Sequence, residues 1–359
     1  MGQPSLVMVS TVLDLLIDQE AKAQAALSAD VYDYYASGSG DEVTRDQASG
    51  AWSRFRLRPH PLRDVSNVDT SLQIFGSELA TPIAVAPTAF HKLGHPEGER
   101  ASIVGASRAG GLFVLSTRAS QPIAEIGAAT SAPWWFQVYV MRDRDVTARI
   151  VDDAVEAGAK ALVLTGDTPV VGRKRRVQGV RHPLPDDHFL VNINRHLTAG
   201  QDGRAAAAQD PGIGLETIDW LHRLTGLPVL VKGVLRGDAA VDCVDAGAAG
   251  VIVSNHGGRQ LDRAIPSAFA LREVTMSMGD RAPVLVDGGV RSGLDVLVAL
   301  ALGARAVFVG RPILWALAAD GADGVQSVLA ELTDDLRHVM ALAGLPNLAA
   351  IHSDLVVKV

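Results

Sequence analysis

Short apolar runs alternate with amphipathic stretches along most of the chain. Eight runs rich in Val, Ile and Leu occur in order: PIAVAP (82–87), GLFVLS (111–116), WWFQVY (134–139), ALVLTGD (161–167), PVLVKG (228–233), GVIVSNH (250–256), PVLVDGG (283–289) and AVFVGR (306–311). Runs that are continuously apolar, rather than alternating, predict strands buried on both faces, as in a parallel sheet.

The segments between the runs have the spacing of helices. In DVTARIVDDAVEAGA (145–159) and SGLDVLVALALGA (292–304), apolar residues recur every three or four positions and a glycine lies near the end. Eight strand-then-helix units predict an α/β fold, a closed (β/α)8 TIM barrel. An open doubly wound sheet is the alternative, but no GxGxxG motif follows a strand, and eight regular units favour closure.

Two parts of the chain fall outside this repeat. Residues 1–80 precede the first run, and we expect them to form a helical segment that covers the barrel. Strands four and five are about sixty residues apart. We expect 170–212 to be an inserted loop over the barrel mouth, with a disordered linker as the alternative. Barrels of this length form one domain, so we predict a single domain over 1–359.

Composition and charge exclude several classes of protein. Apolar residues make up 48% of the chain, but charges interrupt every long apolar stretch, so we expect no membrane span. The first twenty residues lack a basic start, which predicts no signal peptide and a cytoplasmic protein. A net charge of −7 argues against a nucleic-acid partner. Cys243 is the only cysteine, which excludes an intrachain disulfide and a cysteine metal cluster, and we expect no metal.

Groups that form hydrogen bonds stand at the end of nearly every predicted strand. A single Thr or Asp at such a position is commonly a helix cap, but the carboxyl ends of barrel strands meet on one face, where functional residues cluster. After strands seven and eight, DGGVRSG (287–293) and GRP (310–312) combine glycine with arginine. Glycines let backbone N–H groups approach an anion and arginine binds it, which predicts a phosphorylated cofactor or substrate.

The segment SNHGGRQLD (254–262) follows a buried strand with an amide, an imidazole, two glycines and a guanidinium. Such polar groups need a polar partner, so the segment is either a helix cap or faces a ligand.

Nine motifs resemble the FMN-dependent L-2-hydroxy-acid oxidase and dehydrogenase family, which includes glycolate oxidase, lactate oxidase and mandelate dehydrogenase. They span about residues 25–345 in the order and spacing of that family: VYDYYASG (31–38), APTA (86–89), HPEGE (95–99), FQVY (136–139), LTGDTP (164–169), LVKG (230–233), SNHGGRQLD, LVDGGVRSG (285–293) and VGRP (309–312). The resemblance implies FMN as cofactor, oxidation of an L-2-hydroxy acid to the 2-keto acid, and a homo-oligomer, commonly a tetramer.

The resemblance also implies a role for individual residues. His256 corresponds to the active-site base, Arg259 to the residue that binds the substrate carboxylate, Asp167 to the partner of the base, and Lys232 to the cation beside the flavin. Tyr34 and Tyr139, by the same correspondence, contact the substrate. Further FMN contacts are implied for Pro87, Thr88, Ala89, Ser116, Gln137, Thr165, Ser254, Asp287, Gly288, Gly289, Arg291, Gly310 and Arg311.

The chain departs from the family at two positions. Seven residues after Asp167 the family usually has a second carboxylate-binding arginine, whereas this chain has Lys174, which keeps the charge but cannot bind in a fork. Arg173 or Arg175 could substitute after a small shift of the loop; the rest of the basic run 172–182 is expected to be solvated. Arg118 stands near a position where glycolate oxidase carries an aromatic side chain. We therefore expect a substrate with a polar or acidic side group, or a partial replacement of the missing arginine.

Ala89 bears on the electron acceptor, because members that are oxidases usually have alanine there. The resemblance thus implies oxygen as acceptor, giving hydrogen peroxide. Three alternatives stay open: a dehydrogenase with another acceptor, an FMN barrel with a different reaction such as isopentenyl-diphosphate isomerase, and a flavin-binding protein without turnover.

Overall fold

All eight predicted strands are present in the computed structural model, which describes residues 11–177 and 186–359. They are β1 (Ile83–Val85), β2 (Leu112–Ser116), β3 (Trp134–Val138), β4 (Leu162–Thr165), β5 (Val229–Val234), β6 (Gly250–Val253), β7 (Val284–Asp287) and β8 (Val307–Val309). Each strand pairs in parallel with the next, and β8 pairs with β1, so the sheet closes. The predicted (β/α)8 barrel is confirmed.

One helix follows each barrel strand. These helices are Gly98–Arg108, Ile123–Ala128, Arg144–Glu156, Glu216–Thr225, Gly237–Asp245, Ser267–Met278, Gly293–Ala301 and Arg311–Leu342. Within the barrel wall, alternate residues face opposite sides: Leu112 and Val114 belong to the cluster inside the barrel, and Phe113 and Leu115 to the layer under the helices. Both layers are buried, which explains why the strands read as continuous apolar runs.

The N-terminal segment is helical only as far as Trp52. It comprises α1 (Val12–Ala26), α2 (Ala29–Ala36) and α3 (Val43–Trp52). A hairpin of Leu72–Ile74 and Ser77–Leu79 follows and packs against the interior cluster. An antiparallel pair joins Phe55–Leu57 to Val356–Lys358 near the C-terminus. Sequence periodicity did not predict these short strands, since three-residue strands are too short to show a period.

The connection between β4 and β5 is the long insertion predicted over 170–212. In its described parts it contains two single-turn helices, Asp186–Phe189 and Gly203–Ala206, and a 3-10 turn, Asn194–His196. Residues 178–185, including part of the predicted basic run, lie outside the described residues. Within 11–177 and 186–359, no helix is both long and apolar enough to cross a membrane.

Candidate active site

A cavity of about 1110 Å³ opens where the barrel strands end. Most of the predicted site residues line it: Tyr34, Pro87, Thr88, Ala89, Ser116, Arg118, Tyr139, Lys174, Lys232, His256, Arg259, Asp287, Gly288, Gly289, Arg291, Gly310 and Arg311. Gln137, Thr165, Asp167 and Ser254 do not line the cavity but form hydrogen bonds behind its wall.

His256 is held at the cavity wall by a tight left-handed turn. Its φ is 57°, and those of Gly257 and Gly258 are 62° and 73°. Left-handed backbone is favourable for glycine but strained for histidine. The His256 N–H donates to Ser254 Oγ at 3.0 Å, which stabilises the turn. The two glycines following the histidine are therefore a requirement of this turn rather than a helix cap.

Asp167 fixes the orientation of the imidazole. His256 Nδ1 lies 3.0 Å from Asp167 Oδ1, and His256 Nε2 lies 3.5 Å from the Tyr139 hydroxyl. Burial raises the pKa of Asp167, but the facing His256 and nearby Lys232 outweigh burial, so the pKa is lowered overall and the carboxylate is charged. Because Nδ1 faces a carboxylate, the neutral imidazole carries its proton there and leaves Nε2 as the basic nitrogen.

Tyr139 presents a protonated hydroxyl to this nitrogen. Burial, with a contribution from the charge of Asp167, raises the pKa of Tyr139 well above its usual value. The hydroxyl is thus available to donate a hydrogen bond to a substrate oxygen.

Two arginines hold the last turn of α2 at the mouth of the cavity. Arg259 Nη1 donates to the carbonyl oxygens of Tyr34, Tyr35 and Ser37 at 2.7, 3.3 and 3.0 Å. Arg311 donates from Nε to Tyr35 and from Nη2 to Ser37, at 3.1 and 3.0 Å. The final carbonyls of a helix have no partner within it and carry partial negative charge, so both arginines complement them. This docking also brings the Tyr34 ring 5.1 Å from the Arg259 guanidinium carbon.

Lys232 forms a buried polar group with two neighbouring strand ends. Its Nζ lies 2.8 Å from Ser254 Oγ and 3.0 Å from Asp287 Oδ2. Asp287 Oδ1 is buried and has no hydrogen-bond partner among the described residues. A buried acceptor without a donor is costly, so this oxygen indicates a ligand hydroxyl or N–H group.

A second set of hydrogen bonds links the ends of β2, β3 and β4. Ser116 Oγ donates to Gln137 Oε1 at 3.0 Å, and Gln137 Nε2 donates to Thr165 Oγ1 at 2.9 Å. These two neighbours determine which end of the Gln137 amide is the oxygen and which is the nitrogen. The predicted direct contact of Gln137 and Thr165 with a flavin stays a prediction.

Gly288 and Gly289 let the β7 loop pass close to α3. A side chain at Gly289 would place its Cβ 2.2 Å from the carbonyl oxygen of Ala48, and φ there is 79°. Beyond the glycines, Arg291 Nη1 donates to the Val290 carbonyl at 2.7 Å. The cavity wall here combines close backbone with arginine, as the predicted phosphate site requires.

The structure brings Lys174 to the cavity beside Arg259. Its Nζ donates to the Gly172 carbonyl at 3.2 Å. Burial, with the positive charge of Arg259, lowers the pKa of Lys174 to about 8. The neighbouring Arg175 instead pairs with Asp41 at 2.6 Å, so Lys174 is the better placed of the two for a substrate.

Sequence reasoning missed several residues that support the site. Thr88 Oγ1 lies 2.6 Å from Nε2 of the buried His91, whose Nδ1 lies 2.8 Å from Ser102. The buried Glu99 accepts hydrogen bonds from the backbone N–H groups of His91 and Ser120, at 3.0 and 2.8 Å. Glu99 is part of the HPEGE motif, and that motif was the available indication of its importance.

Gln260, in the segment SNHGGRQLD, is a further residue that supports the site. Its side chain accepts from the Gly172 N–H at 3.1 Å and donates to the carbonyls of Asp167 and Val170, at 3.1 and 2.9 Å. It thereby ties the loop after β4 to the turn that carries His256.

Comparison with known proteins gives one consistent family. The family model described as FMN-dependent dehydrogenase matches residues 23–358. The L-lactate oxidase of Nostoc sp. is 41% identical, with 94% of this chain and 96% of that protein aligned. The glycolate oxidase of Spinacia oleracea is 42% identical, with 93% of each chain aligned. A crystal structure of mandelate oxidase with (S)-4-hydroxymandelic acid superposes with a TM-score of 0.88 at 40% identity, covering 94% of this chain and 97% of that one.

These matches extend over nearly the whole chain, and eight of the nine motifs on which the resemblance rested contribute residues to one cavity. The chain therefore belongs to the FMN-dependent dehydrogenase family.

Proposed function

We propose that this protein oxidises an L-2-hydroxy acid to the 2-keto acid with FMN as cofactor and dioxygen as electron acceptor. The observation that carries the proposal is that His256, hydrogen-bonded to Asp167 behind the wall, lines the same cavity as Arg259 and Tyr139. It combines a base with a residue suited to binding a carboxylate, and those are the two requirements of this substrate class. Relatives named as lactate, glycolate and 2-hydroxyacid oxidases support it.

The cavity suits FMN in charge and in hydrogen-bonding capacity. The buried, unpartnered Asp287 Oδ1 would accept a hydrogen bond from a ribityl hydroxyl. Gly289 and Arg291 line the cavity after β7, and they would offer a phosphate a backbone N–H group and a positive charge. Lys232 provides a buried cation to offset charge on the reduced ring. When bound, FMN supplies a two-electron acceptor for the hydrogen removed from the substrate's C2.

Substrate binding is assigned to the groups around His256. Arg259, Lys174 and Tyr34 would hold the carboxylate, and the Tyr139 hydroxyl would donate to a substrate oxygen. Such anchoring places C2 and its hydroxyl beside His256 Nε2 in a fixed geometry, which lowers the entropic part of the barrier.

His256 would then take one proton from the substrate on Nε2. The imidazolium that forms lies against the charged Asp167 at 3.0 Å, so its positive charge is compensated where it develops. The substrate loses two hydrogens in total and its C2 hydroxyl becomes a carbonyl. One hydrogen leaves as a proton through His256, and the other carries two electrons to the cofactor.

In the proposed second half-reaction, dioxygen would take up the two electrons and two protons that left the substrate, including the proton held by His256, and would be released as hydrogen peroxide. Ala89 lines the cavity, and the oxidase names of the relatives support oxygen over another acceptor. The expected cytoplasmic location and homotetrameric assembly stay predictions, to be tested by cell fractionation and by light scattering of the purified protein.

Anaerobic titration tests the whole proposal. The purified yellow protein is titrated with glycolate, L-lactate, L-mandelate and longer L-2-hydroxy acids while its visible spectrum is recorded, and air is then admitted. We expect one of them to bleach the flavin, and rapid recolouring with peroxide formation in air. Bleaching with slow recolouring would indicate a dehydrogenase. A protein that carries FMN but is bleached by no hydroxy acid would refute the proposed reaction and leave a different FMN chemistry or a binding protein.

A further inference from the structure

Arg118 lines the cavity and has a buried hydrogen-bond donor that finds no partner among the described residues. It follows β2, and its backbone N–H donates to Ser116 Oγ at 3.1 Å. Its Nη2 donates to the Ala207 carbonyl. Its Nη1 is buried and forms no hydrogen bond within residues 11–177 and 186–359. The side chain lies on the cavity wall. A guanidinium donor shielded from water needs an acceptor, and a ligand in the cavity could provide one.

Three aromatic rings on the cavity wall contact one another in turn, and a guanidinium lies over the first and over the last. The Tyr34 and Phe90 centroids are 6.1 Å apart, and those of Phe90 and Phe189 are 5.7 Å apart. Arg259 lies over the Tyr34 ring at 5.1 Å, and Arg118 over the Phe189 ring at 5.3 Å. All five line the same cavity. The row has an apolar surface with a guanidinium at each end.

The charge of the cavity exceeds what FMN and one carboxylate require. Among residues 11–177 and 186–359, nine Lys or Arg side chains line it, against two carboxylates, those of Asp30 and Asp287. The cofactor phosphate, the flavin ring and the substrate's C1 carboxylate account for the cations at the β5, β7 and β8 ends and for Arg259 and Lys174. Arg175 pairs with Asp41, and Arg204 lies over the Phe189 ring. Arg118 lies at the other end of the aromatic row and is not explained by any of them.

We propose that Arg118 binds a second anionic group at the far end of the substrate, so that the preferred substrates are L-2-hydroxy dicarboxylates. This rests on the proposed function, since Arg259 must hold the C1 carboxylate. Tyr139 lines the same cavity as Arg118 and Arg259, so a substrate whose C2 oxygen meets the Tyr139 hydroxyl would have both guanidinium groups on the walls around it. The distal carboxylate takes no part in the chemistry, and its role is to position the chain along the aromatic row.

A purely structural role for Arg118 is the competing explanation. Its contacts with Ala207 and Phe189 hold the insertion after β4 against the barrel. The two roles differ in what a substitution changes. A structural role affects every substrate, whereas a specificity role affects dicarboxylates selectively.

The test compares substrates that differ only in the distal group. L-malate is paired with L-2-hydroxybutyrate, and L-2-hydroxyglutarate with L-2-hydroxyvalerate, and the ratio of kcat/KM is measured within each pair. The wild type is expected to prefer the dicarboxylate in at least one pair. Arg118→Met should lower that ratio by about ten- to one-hundredfold, because a hydrogen-bonded charge pair contributes that much to binding. Arg118→Lys keeps the charge but loses the fork, so its ratio of kcat/KM should lie between those of the wild type and Arg118→Met.

Arg144→Met is the matched control. Arg144 lies over the Trp220 ring at 4.9 Å, the same kind of contact, but neither residue lines the cavity. Its ratios should equal those of the wild type. FMN content and Tm are recorded for each variant, and if Arg118→Met does not fold, Arg118→Lys carries the comparison.

Three results would overturn the inference. The first is a wild type that prefers the monocarboxylate in both pairs. The second is an unchanged ratio in the Arg118 variants with wild-type activity on both members of a pair, and the third is an unchanged ratio with an equal loss on both members. Each leaves the proposed function standing as long as monocarboxylates reduce the flavin. If no hydroxy acid of either kind reduces it anaerobically, the proposed function fails first.

Discussion

Replacing Asp167 with asparagine tests the central pair of the proposed mechanism. The substitution keeps the shape of the side chain but removes the charge 3.0 Å from His256 Nδ1. A hydrogen bond to a charged group contributes about 1.5–3 kcal/mol, which corresponds to a loss of about 10- to 100-fold in the rate of flavin reduction. Because Asp167 does not line the cavity, the loss should appear in the reduction rate constant and not in substrate affinity.

The assay is anaerobic rapid mixing of the FMN-loaded protein with substrate, followed by the visible flavin absorbance over a range of substrate concentrations. Asp153→Asn provides the control. Asp153 Oδ2 lies 2.6 Å from His196 Nε2, and neither residue lines the cavity. Asp153→Asn should leave reduction unchanged. Reduction by Asp167→Asn at the wild-type rate would show that the carboxylate does not stabilise the imidazolium. A loss confined to substrate affinity would contradict the assigned role equally.

Three further predictions concern charge, backbone and stability. Lys174, with a pKa of about 8, is charged below that pH and neutral above it, so KM should rise as the pH passes about 8. In Lys174→Arg that rise should be absent. If KM changes with pH in the same way in the wild type and in Lys174→Arg, Lys174 does not bind the substrate. Gly289→Ala should weaken FMN affinity in a cofactor titration because of the clash with Ala48. Gly247 has a φ of 99° and open space around it, so Gly247→Ala should retain the wild-type affinity for FMN. If both variants lose the same affinity, backbone strain and not the clash with Ala48 is the cause. Glu99→Ala leaves two buried N–H groups without an acceptor and should lower the free energy of unfolding in urea by about 2–4 kcal/mol; a change below about 0.5 kcal/mol would contradict this.

The barrel could be predicted from the sequence because its strands have an unambiguous signature. Residues such as Val114 and Phe113 face opposite layers, yet both are buried, so the apolar run is unbroken and its length is that of a strand. The strand-end rule then identified the cavity face. The sequence shows which strand end Gln137 occupies but not how deep its side chain lies, and its contact with the cofactor stays a prediction.

Contacts between distant segments could not be predicted. Arg259 and Arg311 both donate to carbonyls at the end of α2, more than two hundred residues away in the chain, and a carbonyl has no residue type to reveal it. Phe90 and Phe189 are likewise far apart in sequence. Their alignment into a row depends on how the insertion after β4 folds back, which no periodicity describes.

The attachment of α2 has a consequence for how the protein opens and closes. Arg259 is expected to bind the substrate, and the same guanidinium donates to the carbonyls that end α2. A ligand that fixes Arg259 should therefore raise the free energy of local opening of α2, so that its amide hydrogens exchange more slowly in the complex. Removal of the segment up to α3 would also take away the carbonyls at the end of α2 that accept hydrogen bonds from Arg259 and Arg311. The barrel alone is thus not a self-sufficient catalytic unit, because its N-terminal cover completes the active site.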